Sequence, residues 1–491
     1  MHEIFLLTKY LLLPLLIVLA AARFSGTVEQ FLSSRTGARA CRLAAIGLAV
    51  LLMVLSLLRY LTLHAGFFDL GVYDQKVFLA SQGDWSAVVH GHWTPLLALV
   101  VPPYSVYSSA VVLILLQSAA LALACVALRR LGRRILAADG PVDMMVLCFV
   151  LHPAIHYAWL FDFHPEAFYP LLVFLVFLSA EAGGRGRCLL FGLLAMGVKE
   201  PLTLSTSLLG VAMAAGKSLR LVGWTLAGIA VLIFAAYAVW GGPGVGTATQ
   251  ALVGYLAEPA AERGVGAVLQ PSRWFGVALG VEKWFYFYLL GAPLAFVFLK
   301  SPRTLLPCIP IAFISLFAVE PFYSNIHNHY ALGIIPFLFV AALYGIKKRR
   351  AGRAGQVVLA SILPLSLYFS MAIGALPYSA TFWAGKGPFN AADYVRPDNH
   401  AQILEAAALI PRQAPLTFQS NLYLSAFIHR PQSWTFPDGV NEAEYVLLDR
   451  HRAHFVWDWE GDRIYEEFRQ SLEVRYLRIY DQAGVEVYHR R

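Results

Sequence analysis

Two aspartates, Asp69 and Asp74, stand in the stretch Phe67-Phe68-Asp69-Leu70-Gly71-Val72-Tyr73-Asp74-Gln75, just past a hydrophobic run. An ionised Asp at the centre of a bilayer costs roughly 2.5–3.5 kcal/mol even on the mildest scale, so carboxylates this close to apolar spans imply a partner or a task. A carboxylate can accept the proton of an attacking hydroxyl, which makes Asp69 and Asp74 candidate general bases. The plain structural account is that Asp69 caps an interfacial helix whose Leu70, Tyr73, Val77 and Phe78 share a face, with Asp74 on its wetter side.

Three further polar groups are candidates to join them. In Trp159-Leu160-Phe161-Asp162-Phe163-His164-Pro165-Glu166, the residues Asp162, His164 and Glu166 alternate with apolar ones. An extended backbone would turn all three the same way, and oxygen and imidazole ligands on one face can hold a divalent cation such as Mg or Mn. An ordinary connecting turn with its polar groups in water is the alternative. Lys199 and Glu200 end one short apolar run and begin the next. A lysine there suits a lipid-linked phosphate, unless the pair only neutralises itself. His92 in His90-Gly91-His92-Trp93-Thr94-Pro95, and His327 and His329 in Asn325-Ile326-His327-Asn328-His329-Tyr330, are candidate substrate contacts or interfacial belt residues.

The elements that carry these residues follow from composition. The chain has 491 residues, 58% hydrophobic and 14% charged, and a mean hydropathy of +0.60. A soluble domain carries roughly 25% charged residues, so this is a polytopic membrane protein. The net charge of +8 does not indicate nucleic acid, because the basic residues sit in short loops between apolar runs. The five cysteines lie in or beside those runs and form neither a disulfide framework nor a thiolate metal site.

At 1.5 Å per residue a span needs about 20 apolar residues, which gives about twelve transmembrane helices. They are expected near 4–22, 43–63, 104–128, 142–158, 167–182, 188–198, 201–215, 221–239, 284–299, 304–319, 331–346 and 356–375. The run 95–101 is too short to cross. The run 188–215 is too short for two full spans, so two short helices should meet at Lys199-Glu200-Pro201, as broken helices do where they line a water-filled cavity. Lys and Arg crowd the loops at 23–42, 129–134, 185–187, 217–220, 300–303 and 347–353. The opposite loops before 376 hold only Lys76, Lys199, Arg263, Arg273 and Lys283. The crowded side is therefore cytoplasmic, and every candidate residue named above falls on the outer side.

Three parts result: an extra helix with a basic loop over 1–42, a transmembrane part over 43–375, and a small α/β domain over 376–491 on the outer face. In the last part, 401–410 and 462–472 read as helices, 415–419 and 445–449 as strands, and 474–480 with 485–488 as a hairpin. No internal repeat appears, which counts against a repeat-built transporter.

The motifs FDLGVYDQ, HWTP, LFDFHPE, the later KE pair, HNHY and YVLLD together resemble a bacterial family of predicted membrane proteins placed near the GT-C glycosyltransferases. The resemblance implies a GT-C-like fold in the bacterial inner membrane. It also implies a polyprenyl-phosphate-linked sugar as donor at the outer leaflet, with an acidic residue of the first outer loop as base or metal partner. Asp69 and Asp74 occupy that loop, spaced as Asp-x4-Asp rather than Asp-x-Asp. The expected function is glycosyl transfer to an acceptor hydroxyl. A lipid or solute transporter or flippase, and a non-catalytic envelope scaffold, are the alternatives. A transporter would need charges at mid-membrane, whereas the polar clusters lie near one face.

Overall fold

The computed structural model describes residues 2–89, 91–240, 276–318, 320–349, 352–385, 388–452, 468–469 and 472–491. Among them, four helices are long and apolar enough to cross a membrane: Phe5–Ser33, Arg35–Leu61, Ala110–Leu136 and Arg353–Ile373. A fifth span is available if Asp139–Leu151 and Pro153–Leu160 act as one helix bent by 54°. The bend has a local cause. Pro153 forces the preceding residue out of the helical region, so His152 is extended (φ −66°, ψ 123°) and its Nδ1 accepts the Ala154 N–H. Most of the other apolar runs counted as spans are shorter helices and single turns, among them Tyr169–Glu181, Arg185–Met196, Glu200–Ala214 and Ile309–Phe317, while the run at 221–239 is the 21-residue helix Arg220–Trp240.

The long helices are fastened at one end by a buried carboxylate. Asp143 takes Arg42 Nη2 at 2.7 Å and Arg129 Nε at 2.5 Å, joining three helices on the arginine-rich side. A 27-residue helix such as Arg35–Leu61 is about 40 Å long, so its far end lies a bilayer's thickness away. That far end carries the candidate residues. Leu63 adopts φ 61° and His64 N donates back to Arg59 O at 2.8 Å, which stops the helix and turns the chain toward Asp69. A helical turn, Phe67–Gly71, then leads into the helix Val72–Ser81.

The expected junction of short helices is present. Arg185–Met196 and Glu200–Ala214 meet at Lys199, whose backbone is extended (φ −167°, ψ 155°), and Pro201 lies in the first turn of the second helix. That helix packs closely on Arg220–Trp240. A Cβ added at Gly223 would lie 2.3 Å from Gly210 O, so any larger residue there would separate the pair.

The C-terminal part contains a five-stranded sheet of order β2-β1-β3-β5-β4, with β1 Leu416–Phe418, β2 Ser433–Thr435, β3 Tyr445–Asp449, β4 Tyr476–Gln482 and β5 Val485–Arg490. β1 pairs in parallel with β2 and β3, and the hairpin β4–β5 adds to β3 antiparallel. The helix expected at 401–410 spans His400–Ala408. The helix expected at 462–472 lies largely outside the described residues. The strand β2 was not expected, because three half-buried residues carry no alternation to read.

This domain shares a hydrophobic core with the end of the helix Arg35–Leu61 and the segment that follows it: Tyr60, Leu70, Tyr73 and Val77 pack with Leu416, Phe418, Tyr423, Phe427 and Ile428. At the centre of the contact Asp74 is fully buried. It accepts hydrogen bonds from the hydroxyls of Tyr104 and Tyr423, and His429 Nε2 lies 3.4 Å away. His429 in turn stacks on Phe78, with centroids 4.3 Å apart. A hydrogen bond to a buried carboxylate contributes about 1.5–3 kcal/mol. Tyr423→Phe should therefore lose about that much stability in chemical unfolding and make the C-terminal domain sensitive to limited proteolysis at lower denaturant.

Candidate functional site

The first wall of the site is built by the turn after the helix Arg35–Leu61. Arg59 Nη1 donates to Leu160 O at 2.7 Å and Nη2 to His64 O at 2.7 Å, while Gly66 N donates to Asp162 Oδ2 at 2.9 Å. Arg59 Nη1 is also 3.4 Å from Asp162 Oδ1, and the guanidinium stacks over Phe389 at 4.4 Å. These contacts fix the start of the loop that presents Asp69. Burial raises the Asp162 carboxyl to about 6 against the pull of Arg59 and the Gly66 N–H.

The second wall is the 161–166 segment. Gln117 straps it, donating to Phe161 O at 3.1 Å and accepting the His164 N–H at 3.0 Å. His164 is buried, and burial holds its imidazole neutral, with a pKa down at about 3. In that state its Nδ1 donates to Asp162 O at 2.8 Å. Its ring stacks on His329, with centroids 4.4 Å apart at 26°.

Glu166 is the centre of the cluster. Its Oε1 is 2.6 Å from Lys199 Nζ and 3.3 Å from His329 Nε2, and all three side chains are buried. Burial acts to raise the Glu166 carboxyl, but Lys199 and His329 outweigh it and hold it well below the usual range. Glu200 is bound separately: His92 Nδ1 lies 2.8 Å from its Oε1, and Trp93 N donates to its Oε2 at 3.2 Å. Adjacent in sequence, Lys199 thus meets Glu166 while Glu200 meets His92 and Trp93.

Asp69 faces this cluster. The residue is half-buried, and no described residue donates a hydrogen bond to its carboxylate. Burial raises its carboxyl, opposed by the fields of His329 and Lys199, while Glu166 adds to the rise. A carboxylate left unbonded and poised upward is suited to accept a proton.

Beside Glu166 and Lys199 lies a small cavity, about 400 Å³ when the open solvent it meets is counted. Tyr323 and Tyr330 complete its polar end, and Pro201, Leu202, Ile311 and Ile314 line its apolar part.

The candidates from sequence therefore separate. Asp69, Glu166, Lys199, Glu200, His92, His164 and His329 are brought together. Asp162 braces the loop from behind, Asp74 lies in the interface with the C-terminal domain, and His327 packs its ring on Tyr157 with centroids 4.5 Å apart. As a cation site, Asp162, His164 and Glu166 do not fit: Asp162 turns to Arg59 and Gly66, and an ammonium already sits on Glu166. Among the described residues no group of three or more His, Cys, Asp or Glu side chains is arranged to hold a metal ion. Arg263 and Arg273, further basic residues of the outer side, fall outside the described residues. Arg59, Gln117 and Tyr330 were not singled out from sequence. Arg59 left one signal, a lone arginine at the outer end of an apolar run.

A family model described as "Predicted membrane protein (DUF2079)" matches residues 59–487. Two crystal structures of ArnT from Cupriavidus metallidurans are similar to the chain. The one bound to undecaprenyl phosphate is 12% identical with a TM-score of 0.52, covering 90% of this chain and 97% of its own. The apo structure is 13% identical with a TM-score of 0.49, covering 91% of this chain and 98% of its own. No curated protein matches. At this identity the likeness to the first structure is one of fold: a GT-C-like membrane fold with a small C-terminal sheet.

Proposed function

We propose, from the premise that this chain belongs to the DUF2079 family of predicted membrane proteins, that it is a glycosyltransferase. It moves a sugar from a polyprenyl-phosphate carrier to an acceptor hydroxyl at the outer face of a bacterial inner membrane, the side on which the C-terminal domain also lies. The observation that carries the reading is the Asp69 carboxylate, within the fields of Lys199 and Glu166, together with the buried Lys199–Glu166 pair that lines a largely apolar cavity. Support also comes from the fold neighbour, which is bound to undecaprenyl phosphate.

In this reading the prenyl chain enters along Pro201, Leu202, Ile311 and Ile314, and the phosphate meets Lys199. Glu166 keeps that ammonium charged and oriented. Asp69 removes the acceptor's proton as the acceptor oxygen attacks the anomeric carbon from the side opposite the phosphate. The bond from the anomeric carbon to the phosphate oxygen breaks, its electron pair stays on the phosphate, and the sugar is delivered with inversion. The carrier then bears one more negative charge than before, which the fixed cations of the site stabilise.

The test is transfer from undecaprenyl-phosphate-linked sugars in membranes holding the full chain, read as a new glycosidic bond. Accumulation of sugar inside sealed vesicles without such a bond would overturn the proposal in favour of transport. Asp162 acts through the loop it braces, and misplacing a reacting group by 1 Å costs about 100-fold. Asp162→Ala should slow transfer by about that factor and leave binding of undecaprenyl phosphate unchanged.

A further inference from the structure

The helix Val72–Ser81 has two working faces. Asp74, Val77 and Phe78 serve the contact with the C-terminal domain. Asp69, in the turn before the helix, is spaced with Tyr73 and Lys76 at i, i+4 and i+7, and Tyr73 joins the two sides, packing in the core shared with the C-terminal domain and lying edge-on to Phe163 of the second wall, with centroids 5.9 Å apart. Lys76 is the unexplained member. Its ammonium nitrogen is buried with no hydrogen-bond partner among the described residues, and it lies 5.6 Å from the centre of the Tyr73 ring.

We propose that Lys76 is the second cation of the carrier-lipid site and takes the extra negative charge that the phosphate acquires when the sugar leaves. The inference rests on the glycosyl-transfer reading. Glu200, the acid whose field supports the Lys76 charge, is engaged by His92 at 2.8 Å, and Glu166 by Lys199 at 2.6 Å. Among the described residues Lys76 therefore has no ion-pair partner, while a buried ammonium is tolerated only when something neutralises it. Burial lowers it to about 8, with Glu200 supporting the charge and Lys199 opposing it. Most of it is thus protonated at neutral pH.

The charge balance identifies the ligand. A sugar-loaded carrier is a phosphodiester with one negative charge. Breaking its bond to the sugar leaves a phosphomonoester, whose second proton has a pKa near 6, so it approaches two charges at pH 7. Lys199 already shares its charge with Glu166, and Lys76, near enough for the Lys199 and Glu200 charges to act on it, would supply the second positive charge.

The experiment uses the full-length protein in lipid nanodiscs and three probes: undecaprenyl phosphate, its monomethyl ester and uncharged undecaprenol. Wild type is expected to prefer undecaprenyl phosphate to the monomethyl ester by at least about tenfold. Lys76→Met should abolish that preference, and Lys76→Arg should keep it. The unliganded Lys76→Met protein should unfold at a temperature no lower than wild type, because the change removes a buried charge without an acidic partner, while stabilisation by undecaprenyl phosphate shrinks. A Lys76→Met protein that retains the wild-type preference overturns the inference alone. A wild type that does not distinguish undecaprenyl phosphate from undecaprenol overturns the carrier-lipid reading and this inference with it.

Discussion

Replacing Asp69 with Asn is expected to lower sugar transfer by about 10²- to 10⁴-fold, the range that positioned proton transfer contributes. Asn matches Asp in shape and cannot take the acceptor's proton at neutral pH. Because no described residue donates a hydrogen bond to the Asp69 carboxylate, the substitution leaves no donor stranded. Stability should therefore stay within about 0.5 kcal/mol of wild type, as for a change away from packing and bonding. Binding of undecaprenyl phosphate should persist, since a negative charge near the phosphate has been removed. The wild-type pH profile carries the same signature. The base works only when deprotonated, and burial raises its carboxyl, so activity falls as pH drops through a limb above the ordinary aspartate range, and Asp69→Asn loses that limb. The measurement is transfer rate against pH with a defined undecaprenyl-phosphate sugar. An Asp69→Asn protein retaining wild-type transfer removes Asp69 as the base.

The second large effect is expected at Lys199 and Glu166. Their side chains are 9% and 6% exposed and 2.6 Å apart. Removing one member of a buried pair leaves an uncompensated charge and costs about 3–5 kcal/mol. Lys199→Met and Glu166→Gln should each destabilise by about that amount, and the double variant should recover most of the loss. The coupling is read from a double-mutant cycle of chemical unfolding, and additive losses would contradict it. The double variant separates stability from function: it should fold and yet bind undecaprenyl phosphate no better than undecaprenol. The pair also fixes a pH response. Because the folded-state pKa of Glu166 is depressed, its contribution is fully present above the unfolded value near 4.5 and is lost as pH falls toward the folded value.

Several of these groups were legible as motifs and illegible as partners. Carboxylates and imidazoles beside apolar runs marked the outer loops, and the shortness of the 188–215 stretch predicted a helix junction at Lys199, which the structure contains. The β4–β5 hairpin and β3 followed from alternation and turn residues. The pairings did not, because each spans a long stretch of chain: Glu166 reaches Lys199 and His329, and Asp74 reaches Tyr423 and His429 in the C-terminal domain. Lys199 and Glu200, read from sequence as neighbours, also reach across the fold: Lys199 meets Glu166, and Glu200 meets His92 and the Trp93 N–H while still feeling the Lys199 charge. The alternation of Asp162, His164 and Glu166 implied one shared face. His164 and Glu166 do meet at His329, but Pro165 opens a helical turn and Asp162 is drawn off by Arg59 and Gly66. Counting apolar residues gave about twelve spans, whereas Pro153 and the turns at 292–308 break several runs into pieces too short to cross alone.

The central claim is that the phosphate of a prenyl carrier lies on Lys199, facing Asp69. An experimental structure of the full chain with undecaprenyl phosphate measures this directly. The account predicts a phosphate oxygen about 3 Å from Lys199 Nζ, the prenyl chain running past Leu202 and Ile311, and the Asp69 carboxylate open toward the phosphate. A phosphate bound elsewhere, with Lys199 still enclosed and Asp69 turned to solvent, would contradict it.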